Sequence, residues 1–206
     1  MERYWQIEKI NLKYNVPLHI LVCALILGLS PFLVGVANLE KQDTAKVLEM
    51  YAALIGIVML TPIFLPEQSK EIRELAGSKY MKSSSVYLLR FIGNSLILAF
   101  FLAIYTAVLK QNHCVFPVVC YFLGTYAEML FMGGLGIFSY GLCDNLVAGY
   151  MLPLFYYIIA MGSGNRFLKL FYPFSMAAGS YTEKYVLVAA GIFLTAGGIA
   201  LRCRRK

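Results

Sequence analysis

Charge is so scarce in this chain that the few ionisable residues inside its apolar runs are where any chemistry would begin. Glu128 reads as the one acid deep in a predicted span. It lies well inside a long apolar run, where an ionised side chain costs from about 2.5 kcal/mol upward, so it must face a bundle interior or a cavity. It reads equally as a carboxylate lining a substrate cavity or linked to a proton, and as a carboxyl, charged or protonated, hydrogen-bonded to Tyr, Thr or backbone, or one lying closer to the outer surface. Asp144 sits in a short polar turn. The densest charge is in residues 66–90, PEQSKEIRELAGSKYMKSSSVYLLR, with three glutamates and five Lys/Arg.

Several chemistries lack their residues. There is no G-x-x-x-x-G-K-[ST], so the chain holds no P-loop for ATP. There is no H-E-x-x-H and no G-x-S-x-G. The two histidines, His19 and His113, lie at the edges of apolar runs. The five cysteines form no C-x-x-C pair and no metal spacing, and Cys23 and Cys120 read as small apolar packing residues. Gly162-Ser-Gly-Asn-Arg follows no strand and is no phosphate loop. The net charge of +7 does not point to nucleic acid, because the basic residues cluster at the ends of apolar runs, as topology requires.

With 60% hydrophobic and 14% charged residues, against roughly 45–50% and about 25% in soluble domains, the fold class expected is an all-α polytopic membrane protein in one domain. Residues 2–14 read as an interfacial helix, with Glu2, Gln6, Lys9 and Lys13 on one face and Trp5 and the tyrosines at the boundary. Six spans follow, at 17–37, 47–65, 86–109, 115–140, 146–161 and 185–201. No signal-peptide cleavage pattern precedes the first run, so it is expected to be retained as a span. Residues 38–46 read as a polar loop. Arg90 should reach the headgroups, and Pro153 should kink the fifth span. The termini, the 66–90 stretch and the 141–145 turn hold twelve Lys/Arg and the opposite side six, which places both termini in the cytoplasm.

Two connections carry their own patterns. Residues 66–85 read as a short helix, Glu67 to Ala76, with Ile72 and Leu75 on one face, stopped by Gly77 and followed by a serine hinge that caps the third span. Residues 162–184 are aromatic, glycine-bounded and broken by Pro173. They are too apolar for a free loop and too interrupted for a span, so they read as short helices re-entering the outer leaflet against protein. Gly133-Gly134-x-Gly136 and two small-x-x-x-small pairs, Ala24/Gly28 and Ala52/Gly56, read as close-packing positions.

This layout resembles the membrane subunit of type-2 ABC transporters, the exporter permease class. The most specific pieces are Glu67 followed by Ile72-Arg-Glu-Leu-Ala-Gly-Ser-Lys79, and Leu168-x-x-Phe-Tyr-Pro173-Phe. The chain lacks that family's frequent Gly-Thr after the glutamate and has Tyr80 where a proline is common. The resemblance implies a coupling helix, with Glu67, Glu71, Ile72, Glu74 and Leu75 meeting a separate ABC ATPase that binds ATP and Mg2+. It implies a second permease copy or a related permease, and a pathway lined by parts of spans one, two and five. It implies an outer gate at Phe167, Phe171, Tyr172, Pro173 and Phe174. The protein would sit in a bacterial cell membrane and export a peptide, lipid or amphipathic small molecule, with no cofactor of its own. The alternatives are an ion-coupled secondary carrier using Glu128, and an intramembrane enzyme using Glu128 and Asp144.

Overall fold

In the computed structural model, residues 9–68, 83–164 and 168–204 are described. Six helices of 18–29 residues are long and apolar enough to cross a membrane, and no strand occurs among the described residues. The chain is therefore a multi-pass membrane protein. The helices are α1 (Val16–Val34), α2 (Lys41–Leu60), α3 (Ser83–Gln111), α4 (Val118–Cys143), α5 (Leu146–Ser163) and α6 (Thr182–Arg204). They run alternately up and down, so α1 begins and α6 ends at one face of the bundle. That face is called the near end and the opposite one the far end.

Prolines and caps set several boundaries. Pro17 occupies the first turn of α1, where its missing N–H costs nothing. α4 begins directly after Pro117. At the near end α2 tightens into a 3-10 segment, Thr61–Glu67, containing Pro62 and Pro66. Neither proline can donate the next helical hydrogen bond. Asn145 caps α5 by accepting from the Val147 N–H at 2.8 Å. The second and sixth spans are longer than the sequence suggests. Residues 41–46 are the first turns of α2 rather than loop, and Lys184 and Arg202 lie inside α6. Pro66 and Glu67 belong to the end of the second span, and the rest of the expected helix to Ala76, beyond Gln68, lies outside the described residues. Residues 9–14 are helical, while 2–8 lie outside the described residues.

α2 and α4 form the centre, and α6 lies along α4. Glycine decides that contact. A Cβ on Gly134 would stand 2.7 Å from Gly191 O, and one on Gly141 would stand 2.4 Å from Gly198 O. Two glycine pairs seven residues apart thus bring the α4 and α6 backbones together, the close approach that drives association where lipid removes the hydrophobic difference. The small-residue pairs separate likewise: a Cβ on Gly56 would meet Met129 backbone at 2.7 Å, whereas Gly28 has nothing within 4 Å. At the far end the loop after α1 is tied to the one after α3 by Asn38 N–H donating to Asn112 O at 2.9 Å and Val115 N–H to Leu39 O at 3.2 Å. α1 turns Leu18, Leu21, Leu25, Leu29 and Phe32 outward, and α5 exposes Val147, Met151, Phe155 and Ile158.

Between α5 and α6 the chain makes two single 3-10 turns, Lys169–Phe171 and Met176–Ala178. The second turn packs on α2, so this connection closes the far end of the bundle.

Candidate functional site: two buried charge clusters

The far-end cluster is built by three helices and the 168–181 connection. Glu49 on α2 and Glu128 on α4 are fully buried, and Lys184 on α6 is 4% exposed. The Lys184 ammonium lies 2.8 Å from Glu49 Oε1 and 3.0 Å from Glu128 Oε2, and also donates to Pro173 O. The connection completes the shell: the backbone N–H of Met176 donates to Glu49 Oε1 at 2.8 Å and that of Ala177 to Oε2 at 3.4 Å. Glu49 therefore holds an ammonium and two backbone donors, the surroundings a buried carboxylate needs. Among the described residues Glu128 has the ammonium alone, and its Oε1 is buried with no hydrogen-bond partner. Gly124 leaves room for the connection, since a Cβ there would stand 2.5 Å from Met176 Sδ.

Aromatic side chains clamp the connection from α5. Tyr156 donates to Phe171 O at 2.6 Å, and Tyr157 donates to Met50 O at 2.9 Å. Tyr157 meets Phe174 edge-on at 5.5 Å between centroids, and Tyr172 meets Phe174 at 5.8 Å. Phe131 of α4 lies 5.3 Å from Tyr156 and 6.5 Å from Phe171. Such ring pairs add about 0.5–1.5 kcal/mol each beyond burial. Partial burial, more than the neighbouring carboxylates, pushes the Tyr172 phenol up. Phe171, Tyr172, Pro173 and Phe174 thus stand together beside the triad, and Phe167 lies outside the described residues.

The near-end cluster joins four helices. Glu67 accepts from the Tyr87 hydroxyl and from Arg90 Nη2, the latter at 3.1 Å. Arg90 Nη1 donates to Ile63 O at 3.1 Å, and Asn94 Nδ2 donates to Met59 O at 3.0 Å. Arg202 pairs with Asp144 and donates from Nη2 to Glu67 O at 3.2 Å. Its guanidinium lies 5.6 Å from both the Phe64 and the Tyr140 ring centres, a stacking geometry to which Arg is suited. Asp144 ends α4 in the left-handed region, φ 54°, and so reaches α6.

These geometries correct three expectations. Glu67 is 6% exposed and Arg90 7%, so Glu67 is an internal anchor rather than part of a docking surface. Arg90 turns inward to that carboxylate rather than outward to the headgroups. Glu128 is also not the only acid deep in a span, because Glu49 faces it. Glu71, Ile72, Glu74 and Leu75 lie outside the described residues. Glu128 and Asp144 are sixteen residues apart on one helix, about 24 Å at 1.5 Å per residue, too far to act on one substrate atom as a carboxylate pair.

Glu49 and Lys184 carry a signal that hydropathy hides. Each stands near the edge of an apolar run and reads as terminal, but α2 begins eight residues before Glu49, and Lys184, in the first turn of α6, turns inward. Among the described residues no group of three His, Cys, Asp or Glu is placed to hold a metal. Comparison of the chain with protein-family models, curated proteins and solved structures gives no match.

Proposed function

We propose that this chain is the permease subunit of an ATP-driven exporter, paired with a second permease and driven by separate ATPase subunits. The observation that carries this reading is the near-end cluster. Residues 69–82, outside the described residues, connect in sequence the end of α2 at Glu67 to the start of α3 with Tyr87 and Arg90, and both of those side chains bond to Glu67 in the interior. Arg202 extends the same network to α6 and Asp144. A push on the segment is thus delivered to α2, α3 and α6 together rather than absorbed by a slack loop. Glu67 supplies the anchor, and the docking contacts fall to Glu71, Ile72, Glu74 and Leu75.

Two further features support the reading. α1 and α5 keep broad apolar faces open on a bundle whose other helices are better covered, which suits a second permease beside a shared pathway. The cation count suits a cytoplasmic near end: setting aside the buried Arg90, Arg202 and Lys184 leaves ten Lys/Arg there against five at the far end. The far-end aromatic group around Phe171 to Phe174 would then be the outer gate, in a bacterial cell membrane.

The test is purification in mild detergent from native membranes. A copurifying subunit with a Walker motif and ATP hydrolysis by the complex are expected. Charge reversal at Glu71 or Glu74, or alanine at both Ile72 and Leu75, should leave hydrolysis running while transport falls. A protein that purifies alone and moves substrate on a proton gradient refutes the reading. That outcome belongs to a second reading, an ion-coupled carrier, which the buried Glu49–Lys184–Glu128 group favours.

A further inference from the structure

The far-end triad has an unbalanced charge count. Two carboxylates and one ammonium would leave a net negative charge in a fully buried site, which is costly enough that such groups neutralise instead. The hydrogen bonds are uneven in a way that locates the neutralisation. Glu49 accepts from Lys184, Met176 N–H and Ala177 N–H, all suited to an anion. Glu128 accepts from Lys184 through Oε2, and its Oε1 has no donor among the described residues. The other titratable groups near Glu128 are phenols, Tyr156 and Tyr157 on α5 and Tyr172 in the connection, which carry no charge at pH 7. A metal cation is excluded by the lysine, whose ammonium already occupies the space between the carboxyls.

We infer that Glu128 binds a proton on Oε1 at neutral pH, with Glu49 as carboxylate and Lys184 as ammonium, making the triad a neutral proton-binding site. The step is a simple transfer: hydronium gives its proton to the Glu128 carboxylate and becomes water, and release reverses it. A far-end depression of about 580 Å³, lined by Lys41, Lys110, Tyr121, Tyr181 and Met176, brings water close. Met176 lines it and also donates its N–H to Glu49, and both the Met176 Sδ and the Lys184 stem lie close to Gly124. The inference holds whichever energy source drives transport.

Infrared spectroscopy of the purified full chain in lipid at pH 7 tests it. The expected spectrum has the C=O stretch of a protonated carboxyl, moved to lower frequency in D2O. Glu128→Gln, which keeps the shape of the neutral acid, should remove the band with unfolding temperature and helicity unchanged. If that variant does not fold, Glu128→Asp should move the band's frequency. A wild-type spectrum without the band, a band that persists in Glu128→Gln, one unmoved in Glu128→Asp, or one indifferent to D2O overturns the proposal.

Discussion

Replacing Lys184 by Met probes the far-end cluster most directly, because one ammonium serves two carboxyls and a carbonyl. Met keeps the length of the side chain and removes the charge. Breaking a buried ion pair by deleting one partner costs about 3–5 kcal/mol. A second route gives a similar figure. Without the ammonium, Glu49 is the remaining buried anion, and it can escape by taking a proton. Protonating an ordinary glutamate of pKa about 4.3 at pH 7 costs about 3.7 kcal/mol, at about 1.36 kcal/mol per pH unit. The sign follows from linkage. The folded variant binds one proton more than folded wild type, on Glu49, while both glutamates titrate alike in the two unfolded chains, so its deficit against wild type grows as pH rises above 4.3 and shrinks as pH falls. At pH 5.5 about 1.6 kcal/mol should remain. Denaturant unfolding in detergent, followed by helical circular dichroism at both pH values, reads both numbers. The double variant Lys184→Met with Glu49→Gln should recover most of the loss, because no buried charge is left. A single variant as stable as wild type at pH 7, or a deficit that does not change with pH, refutes the reasoning.

Gly198→Ala should destabilise the protein by about 1–3 kcal/mol, because its Cβ would lie 2.7 Å from Ile137 O, whereas Gly28→Ala, with open space around it, should be neutral in the same unfolding assay. Glu67→Gln should cost about 3–5 kcal/mol by leaving the buried Arg90 without its anion, and hydrogen exchange should show the start of α3 opening first. Tyr156→Phe should cost about 1 kcal/mol by freeing Phe171 O, and faster amide exchange confined to the 168–181 connection would distinguish this from general destabilisation.

Hydropathy made the number and order of the spans legible, because it adds along the chain and a helix needs a minimum apolar length to cross a bilayer. It also made the aromatic, proline-broken connection visible as neither loop nor span. The near-end charge density drew attention to residues 66–90 for the same local reason. What each charge does was not legible. Glu49 and Lys184 look like span-edge residues, Arg90 like a headgroup contact and Glu67 like part of an exposed helix, yet all four are interior. Whether an ionisable side chain points inward depends on where its helix starts, on the rotation of that helix, and on a partner far away in sequence. Glu128 finds Lys184 at a separation of 56 residues, and Glu49 finds the Met176 N–H at 127. The glycine seam follows the same rule: Gly134 and Gly141 matter because Gly191 and Gly198 come to the same side, a match set by the approach of two backbones. Sequence thus determined the spans, whose apolar length is a local property. Tertiary structure decided the pairing of the buried charges, because a charge in a membrane interior is tolerable only beside its complement, and the complement comes from another helix.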